Sequence, residues 1–283
     1  VPVILLAQPD KSSMHSLLWQ VSGKGLKKPS YLFGTFHLLC KDQVVFSNEL
    51  KQKLANADEV YFEVDLSNPK TMIQSLTSMN MKEDKKLRDL MSEKDYNKLD
   101  SILKAETKLS LSFFSRMKPY LVSTLFYSKF MKCAQQSGID MELMQLAKKS
   151  NKKINGLETL EYQASIFDSI PYEDQARELL KMADSLPHME AQFNDMLKVY
   201  LSQDLNKISE LSNETDLAGV RYKSLMLTNR NKNWVEQLKT LMPGKSLFVA
   251  VGAGHLGGED GVIDLLRKEG YKLKPLKNMV NAK

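Results

Sequence analysis

Apolar residues gather in short runs near both ends of the chain. They are LLWQVSG at 17–23, YLFGTFH at 31–37, EVYFEVD at 59–65 and, far downstream, SLFVAVG at 246–252 and YKLKPL at 271–276. Runs this short, rich in Val, Leu, Phe and Tyr and bounded by Gly, Pro and Lys, read as β-strands. Between them lies a long tract with helical signals. Ser47 is placed to cap NELKQKLANA, Ser92 to cap EKDYNKLDSILKAE, and Pro171 to open PYEDQARELLKMADSL as a first-turn proline. One more strand-like run, KKINGLE at 152–158, interrupts the helices. The pattern predicts an α/β (α+β) fold: a central mixed β-sheet built from N- and C-terminal strands, with a large helical insertion at about 69–240. No Pro- or Gly-rich linker divides the chain, so residues 16–283 read as one domain behind a tail at 1–15.

Two of the strand runs share a further pattern. SYLFGTFHL at 30–38 and LFVAVGAGHL at 247–256 both read as an apolar strand, then Gly-x-x-His, then Leu. Each is followed by a leucine-bearing helix, LKQKLANA or VIDLLRKEG, and then another strand. The glycines are expected to let the chain turn sharply so that His37 and His255 project over the strand ends. His37 and His255 lie 218 residues apart, but strands in one sheet bring both to the same edge, where open α/β sheets place ligands. The other histidines, His15 in the tail and His188 in a helix linker, read as solvated.

GAGHLG at 252–257 also has the glycine spacing of a dinucleotide loop, but that mechanism needs an acidic residue at the end of the next strand. That strand instead ends in Lys274 and Pro275. PGKS is no phosphate loop either, because Lys239 stands where its first glycine belongs. The histidines are therefore the point of the motif.

Carboxylates complete the set. Glu63 falls at the C-terminal end of EVYFEVD, and Glu158 closes KKINGLE. A buried glutamate must be paired or bound to a cation, so each has two readings: a metal or catalytic group, or a partner of Arg230 in LTNRNKNW. His37, His255 and Glu63 form a set suited to zinc, manganese or cobalt, with an open position left for water. Cys40, three residues past His37, is read as buried and not as a ligand.

Composition adds limits. A net charge of +6 and a pI near 9.0 permit an acidic partner. Lys and Arg are interleaved with Asp and Glu along the helices, however, so a nucleic-acid surface is not expected. No apolar run is long enough to span a membrane; the nearest, SFFSRMKPYLVSTLFYSKF, is broken by Arg116, Lys118 and Pro119. Its aromatics read as core. The start, VPVILLAQPDKSS, reads as what remains after a signal peptide is removed, which points to export. Cys40 and Cys133 fit either one disulfide or two buried thiols.

At these residues the sequence resembles the TraB/GumN family, related to the Tiki proteins. The matching pieces are LLWQV, YLFGTFHL, ADEVYFEVD, GIDMELMQLAKKSNKKINGLETLEYQ, LTNRNKNW and VAVGAGHLGGEDGVIDLLRKEGY, in the family's order and over nearly the whole chain. The resemblance implies a mixed α/β fold with inserted helices. It implies a metal and catalytic set of His37, His255 and Glu63, with Arg230 and Asn231 supporting substrate or intermediate. Tiki proteins are membrane-tethered, cation-dependent proteases acting on Wnt ligands. The likeness is at superfamily level and does not carry that substrate over. The functional expectation is a metal-dependent hydrolase, a peptidase in its narrower form, with Glu63 or Glu158 as general base and Arg230 and Asn231 stabilising the oxyanion. The alternative is a non-catalytic protein that holds a small ligand, haem or peptide in the same cleft.

Overall fold

The computed structural model describes residues 14–68, 77–214 and 222–278. The strands are β1 (Leu18–Ser22), β2 (Ser30–Thr35), β3 (Leu39–Cys40), β4 (Glu59–Val64), β5 (Gln136–Ser137), β6 (Lys153–Glu158), β7 (Leu247–Gly252) and β8 (Lys272–Leu276). Six form one sheet in the order β6-β4-β7-β2-β1-β8, and β3 pairs with β5 separately. β6, β4, β7 and β2 run parallel, while β1 is antiparallel to both β2 and β8. The expected mixed sheet of N- and C-terminal strands is present, and KKINGLE joins it as an edge strand.

Burial explains the strand order. β2 is buried at every position and β7 at all but its last, which suits parallel strands covered on both faces. The edge strand β8 alternates exposed lysines with half-buried Leu273 and carries Pro275, features that discourage pairing with another chain. Because the four parallel strands share a direction, Thr35, Val64, Glu158 and Gly252 all end at one rim. Register confirms the level: Thr35 is opposite Gly252 and Val64 opposite Glu158.

The helices are α1 (Asn48–Asn56), α2 (Glu93–Thr107), α3 (Pro119–Phe130), α4 (Ile139–Lys149), α5 (Leu160–Asp168), α6 (Tyr172–Asp184), α7 (Leu186–Leu201), α8 (Leu205–Glu214), α9 (Asn229–Leu241) and α10 (Val262–Lys268). Ser47 and Ser92 cap α1 and α2 as expected, accepting from the N–H of Leu50 and Asp95. Pro171 stands one residue earlier than expected, as the cap of α6. His188 is inside the first turn of α7, not in a linker, because Pro187 starts that helix instead of ending one. The tail expected at 1–15 lies outside the described residues except for Met14 and His15, as do residues 69–76 at the start of the expected insertion. His15 is half-exposed beside Asp204, at 3.9 Å.

Two apolar clusters result. One surrounds the sheet and holds Trp19, Phe33, Phe62, Trp234 and Phe248; the other lies among the inserted helices and holds Leu87, Tyr96, Leu99, Phe126 and Leu179. Phe36 and Leu197 pack against both. The segment SFFSRMKPYLVSTLFYSKF supplies the second cluster through Val122, Phe126 and Phe130, while Phe113 is exposed. Among the described residues no helix is long and apolar enough to cross a membrane.

Cys40 and Cys133 form a disulfide with Cα atoms 5.9 Å apart. It closes a loop of 93 residues between the end of β3, three positions past His37, and the segment after α3. Cross-links over loops of this length stabilise chiefly by restricting the unfolded chain. The double variant Cys40→Ser/Cys133→Ser is expected to lose about 2–4 kcal/mol of unfolding free energy in guanidinium titration. Dithiothreitol should bring the native protein down to the same level and leave the variant unmoved.

Candidate functional site

The rim of the parallel strands gathers five of the six expected residues into one hydrogen-bonded group. Arg230, in the first turn of α9, lies at its centre. Its Nη2 donates to Glu63 Oε2 at 2.6 Å, and its Nε to Glu158 Oε1 and Oε2 at 2.8 and 3.1 Å. Nη1 donates to the Met226 carbonyl at 3.0 Å and to His255 Nε2 at 3.1 Å. Trp234, one turn on, backs the guanidinium with its ring, 4.8 Å away. The Glu158 side chain is 3% exposed and Arg230 7%, so both charges are out of water and depend on each other. Both carboxylates thus meet the ion-pair reading open to them in the sequence.

His255 follows β7 on a short 3-10 turn, Ala253–His255, and is buried. Its Nδ1 faces Asn231 Oδ1 at 2.6 Å, while Asn231 Nδ2 donates to the Asp260 carbonyl at 2.8 Å. An amide oxygen only accepts, so Nδ1 carries the proton and Nε2 the lone pair, which takes the Arg230 donor. Asn231 therefore orients an imidazole, and in this arrangement it does not face open space. Burial, with Arg230 adding to it, pushes the His255 pKa down to about 3 and keeps the ring neutral.

His37 approaches from the other side. Its Nδ1 lies 3.0 Å from Asp140 Oδ1, at the start of α4, and its ring is 72% exposed. The hydrogen bond to Asp140 raises its pKa to about 9, with the charges of Asp140 and Glu63 acting in the same direction. Again the partner is an acceptor, so Nδ1 holds the proton and Nε2 points elsewhere. A methyl group placed on Gly138 would come within 2.7 Å of the His37 carbonyl and 3.0 Å of Asp140 Oδ1, so glycine permits this approach.

Gly252 lies between the two histidines. A methyl group there would stand 3.2 Å from Glu63 Oε1, 3.6 Å from His255 Cδ2 and 3.9 Å from His37 Nε2. Its N–H donates to Glu63 Oε1 at 2.8 Å. Gly34 and Gly252 do not adopt the unusual backbone expected of a sharp turn; neither has positive φ. They serve close approach instead, since a methyl on Gly34 would come within 3.1 Å of Ala253.

Glu63 Oε2 also accepts from Gln163 Nε2 at 3.1 Å, and Oε1 is 3.9 Å from His255 Nε2. Burial would raise this carboxyl, but Arg230, His37 and the Gly252 N–H outweigh it and hold its pKa near 2. Glu158 moves the other way, raised by burial against the pull of Arg230. Two buried carboxylates thus share one guanidinium, with opposite tendencies to take a proton.

The donor types around Gly252 suit a divalent cation, and the missing Cβ leaves the space open. Their spacing is not closed, however. Among the described residues no three His, Cys, Asp or Glu side chains are arranged to hold one metal ion. The Arg230 guanidinium occupies the lone pair of His255 that a metal would take. Asp140 and Gln163 were not anticipated as part of the site. Both lie in the matched segment 138–163, but nothing in their spacing ties them to His37 or Glu63.

Beside His37 and Gly252 opens a cavity of about 560 Å³ reaching toward α3 and α7. His37, Gly252, Ala253 and Gly254 are on its wall; Glu63, Glu158, Arg230 and His255 are not.

Arg230→Met is expected to cost about 3–5 kcal/mol of stability in denaturant titration, since it leaves two buried carboxylates without a counter-charge. A pH test isolates His255. Below about pH 6.5 the unfolded chain protonates this imidazole, whereas the folded chain refuses the proton until about pH 3, so stability falls as the medium acidifies through that window. His37, with its raised pKa, contributes fully below pH 6.5 and loses its effect only as pH rises toward 9. The contribution of Glu63 is kept above its ordinary value of 4.5 and lost only toward pH 2. Between pH 6.5 and 5, native protein should therefore lose stability faster than His255→Gln, by about 0.7 kcal/mol per pH unit at pH 6.5 rising toward about 1.4 near pH 5. Equal slopes would show that His255 titrates normally.

The sequence profile of the TraB/PrgY/gumN family matches residues 17–275. Uncharacterized protein YbaP of Shigella flexneri is 29% identical over 84% of this chain and 88% of its own length. Metalloprotease TIKI1 of Homo sapiens is 24% identical over 94% of this chain, which spans 63% of that protein. An uncharacterized protein of Treponema pallidum is 22% identical over 91% of this chain and 82% of its own. No solved structure matches the chain. With a profile match that takes in all eight strands nearly end to end, including both Gly-x-x-His segments, the chain belongs to the TraB/PrgY/GumN family.

Proposed function

We propose that the protein is a metal-dependent hydrolase acting on peptide bonds, with His37, His255 and Glu63 as ligands of a manganese, cobalt or zinc ion. The observation that carries this reading is the matched tethering of the two imidazoles. Each has its Nδ1 proton engaged by a side-chain oxygen, from Asp140 or Asn231, which leaves Nε2 as the donor atom once the His37 ring gives up its second proton. Metal-ligating histidines are ordinarily held this way. A second support is charge, since Glu63 and Glu158 together outweigh Arg230 in a buried site once His37 is neutral. A third is distant similarity to the Tiki metalloproteases.

A bound divalent ion would polarise the scissile carbonyl and lower the pKa of a water molecule. The chain's own groups do the rest. Glu63, held ionised, would accept the proton of the attacking water at Oε1, where the Gly252 N–H leaves one lone pair, as the carbon–oxygen bond forms. That proton passes to the departing amine as the carbon–nitrogen bond breaks. Arg230 is the cation available to the developing oxyanion. Glu158, fixed on Arg230 and absent from the cavity wall, positions that guanidinium, and Asn231 fixes the tautomer of His255. Ligation by His255 requires Arg230 Nη1 to withdraw from Nε2, so arginine and metal compete for one lone pair. The disulfide accords with export to an oxidising compartment.

The closed arginine network favours one second reading, a non-catalytic protein that captures a ligand in the adjoining cavity. Calorimetric titration with manganese, cobalt and zinc, on protein purified without chelator, separates the two. Binding should weaken at least about tenfold in both His37→Ala and Glu63→Gln, and turnover of a quenched peptide library should vanish with chelator. Absence of metal binding, or binding untouched by both substitutions, would leave ligand capture as the surviving reading.

A further inference from the structure

The cavity beside His37 has a composition that the metal site does not require. Phe36, Tyr120, Tyr127, Phe193, Met196 and Tyr200 are on its wall. Phe193 contacts Phe36 and Tyr127 ring to ring, with centroids 6.0 and 5.6 Å apart, and Tyr200 lies 5.0 Å from Phe36. The Tyr200 hydroxyl is spent on the Gly34 carbonyl at 3.0 Å, so that ring is locked to β2. Burial pushes the Tyr120 and Tyr127 hydroxyls up, keeping both rings neutral. Among the described residues of the lining, His37 is the only one that can carry a charge near neutral pH. A cation entering here would lose water and find no partner, and an anion could pair only with His37, whereas an apolar group gains over the rest of the wall by leaving water.

Size and polarity narrow the occupant. A volume near 560 Å³ falls within the roughly 300–1,000 Å³ of pockets that enclose a whole small ligand, larger than one side chain needs. Two hydroxyls on the lining, Thr124 Oγ1 and Ser212 Oγ, give their protons to the carbonyls of Leu121 and Ile208 in their own helices, at 2.7 and 2.8 Å. Their oxygens can therefore accept from an incoming N–H. Peptide amides supply such donors at regular intervals, and a hydrocarbon chain supplies none.

Building on the peptidase reading, we propose that this cavity is the specificity pocket of the site. It seats uncharged aromatic and branched aliphatic side chains of a peptide whose backbone crosses Gly252 and Gly254 in front of His37. The substrate class is thus an apolar peptide segment, and residues of the inserted helices select it while the sheet rim carries the chemistry.

Isothermal titration and saturation-transfer NMR with three probes test this. N-acetyl-phenylalanyl-leucinamide is expected to bind at least about tenfold more tightly than N-acetyl-glutamyl-lysinamide and more tightly than laurate. Met196→Trp and Thr124→Trp, each checked for native circular dichroism, should weaken it by about tenfold or more by filling the space. Phe113→Ser, exposed and off the cavity wall, should bind the apolar probe as native protein does. The pocket assignment is overturned if the two dipeptides bind equally, if neither tryptophan variant weakens the apolar one, or if laurate binds more tightly and displaces it. Selective probe binding by a protein that takes up no metal would remove the hydrolase reading and leave the pocket standing. Metal-dependent turnover without probe selectivity would do the reverse.

Discussion

The site depends on a single buried cation. Arg230 is the common partner of Glu63, Glu158 and His255, and without it two carboxylates would stand in an apolar rim with no counter-charge. Holding charges out of water in this way is seldom a gain in stability over a well-packed apolar core. Its return is specificity of arrangement. The guanidinium presents donors in a fixed plane, so it sets the relative positions of β4, β6, the turn after β7 and the start of α9. Trp234 fixes the arginine in turn, through packing one helical turn away.

Much of this was legible in the chain, for identifiable reasons. The runs YLFGTFH and LFVAVG are apolar at almost every position, which marks covered parallel strands, and they do lie side by side as β2 and β7. Their Gly-x-x-His endings put both histidines at one rim. Sequence could offer Arg230 as a partner for either glutamate, but not as the partner of both together with His255. That follows from the register of α9 against the sheet, which is decided by packing. The two copies of the motif also turn out unequal: His255 is buried and neutral behind Gly252, while His37 is exposed on the cavity wall beside Asp140. A repeat in sequence says nothing of such differences, because they come from what each loop meets.

The cavity and the disulfide were the least legible features. The cavity is assembled from positions near 36, 120–127, 193–200 and 252–254, which only the packing of the inserted helices on the sheet brings together. Phe36 belongs to both apolar clusters, so the residue before His37 is also where sheet and insertion meet. The glycines were expected for their freedom of backbone, whereas two ordinary φ angles show that the absence of a side chain is what matters.

The position of β7 has a consequence for assembly. It is the second-to-last strand along the chain but sits in the middle of the sheet, with β4 on one side and β2 on the other. As the polypeptide emerges from the ribosome, β2 and β4 must wait for some two hundred residues before the strand that joins them is made. Until then each presents an open apolar edge, the kind of surface that holdases recognise and that favours association between chains. The rim acquires its second histidine only when that gap is filled. A half-made chain therefore lacks the contacts of Arg230 with His255 and of Glu63 with Gly252, and the same late insertion that completes the sheet closes that network.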